Sequence, residues 1–159
     1  MVKSSKWPNN DNKIIMKTLI LILSFLSCST EELQIEYCLP NYKNTTKDFE
    51  VLQTINNHRQ SLGLSILEMN SYISREASYH TQNMIDTNTL THSGFEQRSE
   101  NIRINLPTTK VGECVSRNFT NPLVGWLNSP PHKQIIETAD FNFIGVAYKD
   151  GYCTIILVK

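Results

Sequence analysis

Val51, Ile55, His58 and Leu62 recur at helical spacing behind the polar start Thr45-Thr46-Lys47-Asp48, and Gly63 closes the run. This pattern predicts an amphipathic helix opened by a capping box and stopped by glycine. A second stripe, Ile73, Ala77, His80 and Met84, follows the capping residue Asn70 and predicts another helix. His80 then lies on a buried face, where a histidine more often completes a core than holds a ligand. From Thr87 to Lys110 the chain is polar and aperiodic, which reads as a long loop of functional character carrying His92, Arg98, Glu100 and Asn101. Val111 to Val115 is short and strand-like. Asn121-Pro122 and Ser129-Pro130 are each a helix start with proline in the first turn. The first start precedes Leu123, Val124, Trp126 and Leu127; the second places His132 in an opening turn ahead of Ile135 and Ile136. Phe143 to Tyr148 and Tyr152 to Val158 are β-rich, and Lys149-Asp150-Gly151 between them favours a tight hairpin. Helices first and paired strands last define an α+β fold, a small antiparallel sheet covered by helices.

The 159 residues suffice for one core. Lys and Arg balance Asp and Glu at 15 each, but Lys3, Lys6, Lys13 and Lys17 precede Cys28, accompanied only by Asp11. The remainder is mildly acidic and holds no long basic run, so nucleic acid is excluded as an expected partner, because phosphate neutralisation needs clustered Lys or Arg.

Met16 to Cys28 has the order of a secretion signal: Lys17, a short apolar stretch from Leu19 to Leu26, then small residues. It is too short to span a bilayer as a helix. Phe25-Leu26-Ser27-Cys28 resembles a bacterial lipobox, and Ser29-Thr30-Glu31-Glu32 resembles the acidic tract that follows the lipidated cysteine in surface lipoproteins. The resemblance implies lipidation of Cys28, membrane attachment through it, and display at the bacterial outer membrane or cell surface. Met16 is then the expected start, with residues 1–27 an extension and signal, 28–47 a lipidated cysteine and polar tether, and 48–159 the domain. A plain cleaved signal with an incidental cysteine is the alternative.

His92, Glu113 and His132 belong to three different segments. Two imidazoles and a carboxylate brought together by folding serve a non-catalytic polar cavity, a metal site, or buried hydrogen bonds that tie a loop to the sheet. As ligands they would form a three-donor zinc set with one open position, the basis of a hydrolase reading. Against that reading, no His-Glu-x-x-His helix is present. Strand alternation turns Cys114 away from any cavity that Glu113 faces, which argues against a Cys-His dyad.

Six motifs in order carry a resemblance: Asn57-His58-Arg59 with Gly63-Leu64; Ala77-x-x-His80-x-x-x-Met84; His92-Ser93-Gly94-Phe95-x-x-Arg98; Gly112-Glu113; Trp126-Leu127-Asn128-Ser129-Pro130-x-His132; and Ile144-Gly145-Val146. Together they resemble the short bacterial branch of the CAP superfamily (cysteine-rich secretory proteins, antigen 5, pathogenesis-related proteins). The resemblance implies a three-layer α-β-α sandwich with a cavity lined by His92, Glu113 and His132. It also implies a secreted protein that binds a lipid, a small ligand or an extracellular protein, with no common reaction. Cys114 stands where bacterial members usually carry asparagine, and Ile155 where they carry glutamine. Cys114 and Cys153 both fall in expected strands, and either a cross-strand disulfide or two buried thiols satisfies that placement. Cys38 is left over.

Overall fold

The computed structural model describes residues 42–159. The expected extension, the expected signal segment and Cys28 lie outside them. Among the described residues no helix is long and apolar enough to cross a membrane.

Helix α1 (Thr46–Ser61) opens on the expected capping box, with Asp48 N–H donating to Thr45 Oγ1 and Thr45 N–H donating to the Asp48 carboxylate. Asp48 is fully buried, and its other oxygen accepts the N–H of Tyr148, so the cap also fastens the helix to the sheet. The order continues with β1 (Glu68–Met69), α2 (Ser71–Asp86), α3 (Phe95–Asn105), β2 (Val111–Arg117), α4 (Pro122–Leu127), α5 (Pro130–Ile136), β3 (Phe143–Lys149) and β4 (Tyr152–Val158). Asp150 and Gly151 both take positive φ in the β3–β4 turn, the conformation that Asp-Gly supplies at least cost.

The sheet order is β1-β3-β4-β2, with β3–β4 and β4–β2 antiparallel and β1 parallel to β3. The sheet is therefore mixed rather than wholly antiparallel. The two-residue strand β1 has no periodicity of its own; its existence depends on Asn142 and Ile144 accepting N–H bonds from Glu68 and Asn70.

Side-chain alternation along the central strands divides two cores. Ile155 and Leu157 join Cys114, Ile144 and Val146 against Ile55, Trp126 and Ile136, the layer of α1, α4 and α5. Ile156 and Val158 join Ala147 against Ile73, Ala77 and Ile102, the layer of α2 and α3. This is the α-β-α sandwich. Helix α2 lies so close to β3 that a Cβ at Gly145 would stand 2.2 Å from the carbonyl carbon of Ile73, so only glycine fits.

One expectation needs correction, and of two open readings for the strand cysteines the structure has the buried thiols. The stretch from Thr87 to Lys110 contains helix α3, whose buried residues are only Ser99 and Ile102, too few to leave an apolar stripe. Cys114 and Cys153 are free thiols. They face the same core, but Cys114 is opposite Ile155 and Cys153 opposite Ser116. Such diagonal neighbours lie about 7 Å apart or more, beyond the reach of an unstrained disulfide.

Candidate functional site: a cleft at the edge of β2

Strand β2 forms one edge of the sheet, and the three expected site residues meet there from both covering layers. Glu113 projects from β2 towards α3, and its carboxylate is nearly inaccessible. A buried carboxylate requires partners, and Arg98 in the first turn of α3 supplies a bidentate pair, Nε to Oε2 at 2.8 Å and Nη2 to Oε1 at 2.9 Å. Arg98 Nη1 also donates to the carbonyl of Ser93 at 2.9 Å, so the same guanidinium holds the preceding loop. Gly94 carries φ +77°, and a side chain there would press on Arg98 Nη1 at 3.1 Å. Conformation and contact both call for glycine.

His92 sits in that loop, half exposed, with Nδ1 2.9 Å from Glu113 Oε1. Its Nε2 is 3.3 Å from Nε2 of His132, which α5 brings in from the opposite layer. The order is therefore linear: His132, His92, Glu113, Arg98. His80 lies behind it, buried, with Nε2 donating to the Thr91 carbonyl at 2.6 Å. It is a core residue that positions the loop carrying His92.

The arrangement sets chemical limits. Both oxygens of Glu113 are engaged, which leaves it neither a free general base nor an open metal ligand. The expected three-donor zinc set is not assembled, and among the described residues no group of three or more His, Cys, Asp and Glu is placed to hold a metal ion. Cys114 is fully buried on the other face of β2, and burial pushes its thiol well above the ordinary range, away from the thiolate a nucleophile needs.

The imidazole pair stands at one end of a cleft of about 430 Å³. Phe95 walls it on one side, Ile135 and Phe141 on the other, and Lys110 marks the far end. Gly112 admits this close packing, because a Cβ there would meet Ile135 Cγ2 at 2.9 Å. Arg98 stands out in the sequence as a residue of the functional loop and of the His92 motif, but its role as the partner of Glu113 emerges only from the fold.

Burial lowers the pKa of His80, and burial together with the neighbouring His92 lowers that of His132. The native state then binds fewer protons than the unfolded chain below the ordinary value of 6.5. The stabilisation is complete above that value and is lost as pH falls through it towards the lowered values, by at most about 1.4 kcal/mol per pH unit for each imidazole. Melting temperatures should fall between about pH 7 and pH 5, less steeply in His132→Asn. Equal slopes in the two proteins would remove His132 from this account.

A three-layer sandwich with an imidazole-and-carboxylate cleft at the free edge of its sheet defines a class of domain, and residues 52–157 match the model of the cysteine-rich secretory protein family, CAP. The chain belongs to this family. It is 26% identical over 121 residues to the uncharacterized membrane protein YlbC of Bacillus subtilis (strain 168), covering 72% of this chain and 35% of that protein. The chain thus spans about a third of that relative's length. Among solved structures, an extracellular protein containing an SCP domain from Bacillus anthracis superposes with a TM-score of 0.65 at 21% identity, over 71% of this chain and 40% of that one. An outer surface protein of Borrelia burgdorferi superposes with a TM-score of 0.63 at 24% identity, over 74% of this chain and 96% of that one. At these identities the likeness is one of fold.

Proposed function

We propose that this is an exported, surface-attached binding domain, and that the cleft beside β2 receives a ligand without transforming it. The observation that carries the proposal is an apolar-walled cleft ending in two imidazoles while the adjacent carboxylate is held by Arg98. Such a site combines apolar contact area with a few oriented polar groups, the usual make-up of a binding pocket. The extracellular and outer-surface descriptions of two structural neighbours support export, and lipidation of Cys28 would provide attachment.

Native mass spectrometry with metal analysis, on protein purified from its own host, tests this reading. A bound adduct is expected, absent from an Ile135→Trp variant whose indole fills the cleft. Bare protein in both samples would overturn it.

One distance favours a second reading, metal capture with or without hydrolysis. Two imidazole nitrogens bound to one tetrahedral zinc at about 2.0–2.1 Å lie roughly 3.3 Å apart, and the two Nε2 atoms are 3.3 Å apart here. Glu113 would then orient His92 from behind rather than bind metal itself. Zinc titration by calorimetry separates the readings: binding lost in His92→Ala supports capture, and no binding by the intact domain removes capture and hydrolysis together.

A further inference from the structure

We infer that the occupant of the cleft is an extended peptide of a partner protein, which adds to the sheet as a fifth strand beside β2. This deepens the proposed function and rests on the cleft being the ligand site. The argument starts from register. Lys159 N–H donates to the Lys110 carbonyl, and Asn118 N–H donates to the Gly151 carbonyl, so even-numbered residues of β2 face β4. Antiparallel pairing alternates, which turns the N–H and C=O groups of Val111, Glu113 and Val115 outwards at the sheet edge. Trp126 Nε1 donates to the outward Val115 carbonyl at 2.9 Å and closes that end.

At Val111 and Glu113 the outward backbone groups have no hydrogen-bond partner among the described residues. Val111 is half-buried and Glu113 is 4% exposed, so these groups are only partly hydrated. Unpaired backbone groups in that setting are costly, and they repeat every second residue. An extended polypeptide matches that repeat in both donors and acceptors, whereas an acyl chain offers no such group and a sterol only a single hydroxyl.

The walls complete the match. The stretch from Lys110 to Glu113 is about 10 Å of strand, room for roughly four peptide residues. Successive side chains of an added strand would point alternately to Phe95 on one face and to Ile135 and Phe141 on the other. Lys110, whose Nζ lies 3.8 Å from the Asp140 carboxylate, bounds the cleft at its far end. The peptide therefore has apolar residues at alternate positions.

The test is selection of a displayed octapeptide library on the folded protein, followed by a backbone N-methyl scan of the enriched sequences. Expected are sequences of that pattern, with N-methylation at every second residue abolishing binding and the intervening positions tolerating it. Val111→Pro removes one outward N–H and leaves the β2–β4 ladder intact, so it should weaken binding about tenfold or more with little change in melting. Hydrogen exchange at Val111 and Glu113 should slow when peptide is bound. No enriched sequence, or an N-methyl scan without two-residue periodicity, overturns the inference, and the scan needs no protein variant. Peptide binding lost in Ile135→Trp but unchanged in Val111→Pro would sink strand addition while leaving the cleft as the ligand site.

Discussion

Replacing Arg59 by Met should lower the unfolding free energy by about 3–5 kcal/mol, a large share of the stability of a domain this size. Arg59 projects from α1 and is fully buried, and no carboxylate among the described residues pairs with it. Its guanidinium donates instead to backbone carbonyls: Ser65 at 2.9 Å, Ile136 and Thr138 at 2.8 Å each, and Phe141 at 3.5 Å. The Ile136 and Thr138 carbonyls lie at the C-terminal end of α5, where unsatisfied acceptors and the helix dipole both attract a cation. Methionine keeps most of the packing volume but donates nothing, so several carbonyls are left dry and unpaired. Chemical denaturation measures the loss. The same carbonyls shape the turn that carries Ile135 and Phe141 into the cleft, so peptide or adduct binding should weaken in the variant even at temperatures where it is folded. A loss of less than about 1 kcal/mol would mean that water replaces the guanidinium at these carbonyls.

Arg59 also marks the boundary of what the chain discloses on inspection. Its neighbours Val51, Ile55 and Leu62 announce a helix through spacing alone, and Thr45, Asn70, Asn121 and Asp150-Gly151 announce where elements begin or turn, because caps and turns are local chemistry. The role of Arg59 is not local: its acceptors at Ile136 and Thr138 lie 77 and 79 residues away. Helix α3 escaped notice because it is held by polar anchors instead of an apolar stripe. Arg98 reaches Glu113, and the Asn101 carbonyl accepts the Tyr72 hydroxyl at 2.9 Å. Strand β1 escaped because a parallel pair of two residues exists only once β3 is in place. The site shows the same division. His92, Glu113 and His132 stand out as residue types in separate segments, and folding does bring them together. Their linear order, and the consequent loss of Glu113 as a metal ligand, follow from a guanidinium whose reach cannot be read from spacing.

Removing that guanidinium is the second large perturbation. Arg98→Met should destabilise the domain by about 3–5 kcal/mol near neutral pH, because Glu113 keeps its buried position and loses two of its three charge-assisted hydrogen bonds. The carboxylate, not the missing arginine, accounts for most of that cost, since a desolvated charge without a counter-ion is the expensive state. Pairing the change with Glu113→Gln should therefore recover much of the loss, as the amide is neutral and still accepts from or donates to His92. Glu113→Gln alone should cost less than Arg98→Met, since a solvated route remains open to the long arginine side chain. The coupling from this cycle should exceed about 1.5 kcal/mol, well above that of exposed ion pairs. Loop geometry provides a second readout. Arg98 also holds the Ser93 carbonyl, so its removal frees the turn bearing His92, and the amides of Ser93 and Phe95 should exchange faster in both arginine variants but not in Glu113→Gln. Additive effects of the two substitutions, with unchanged exchange in the loop, would mean that Arg98 is an ordinary surface arginine and that the His92–His132 spacing is set elsewhere.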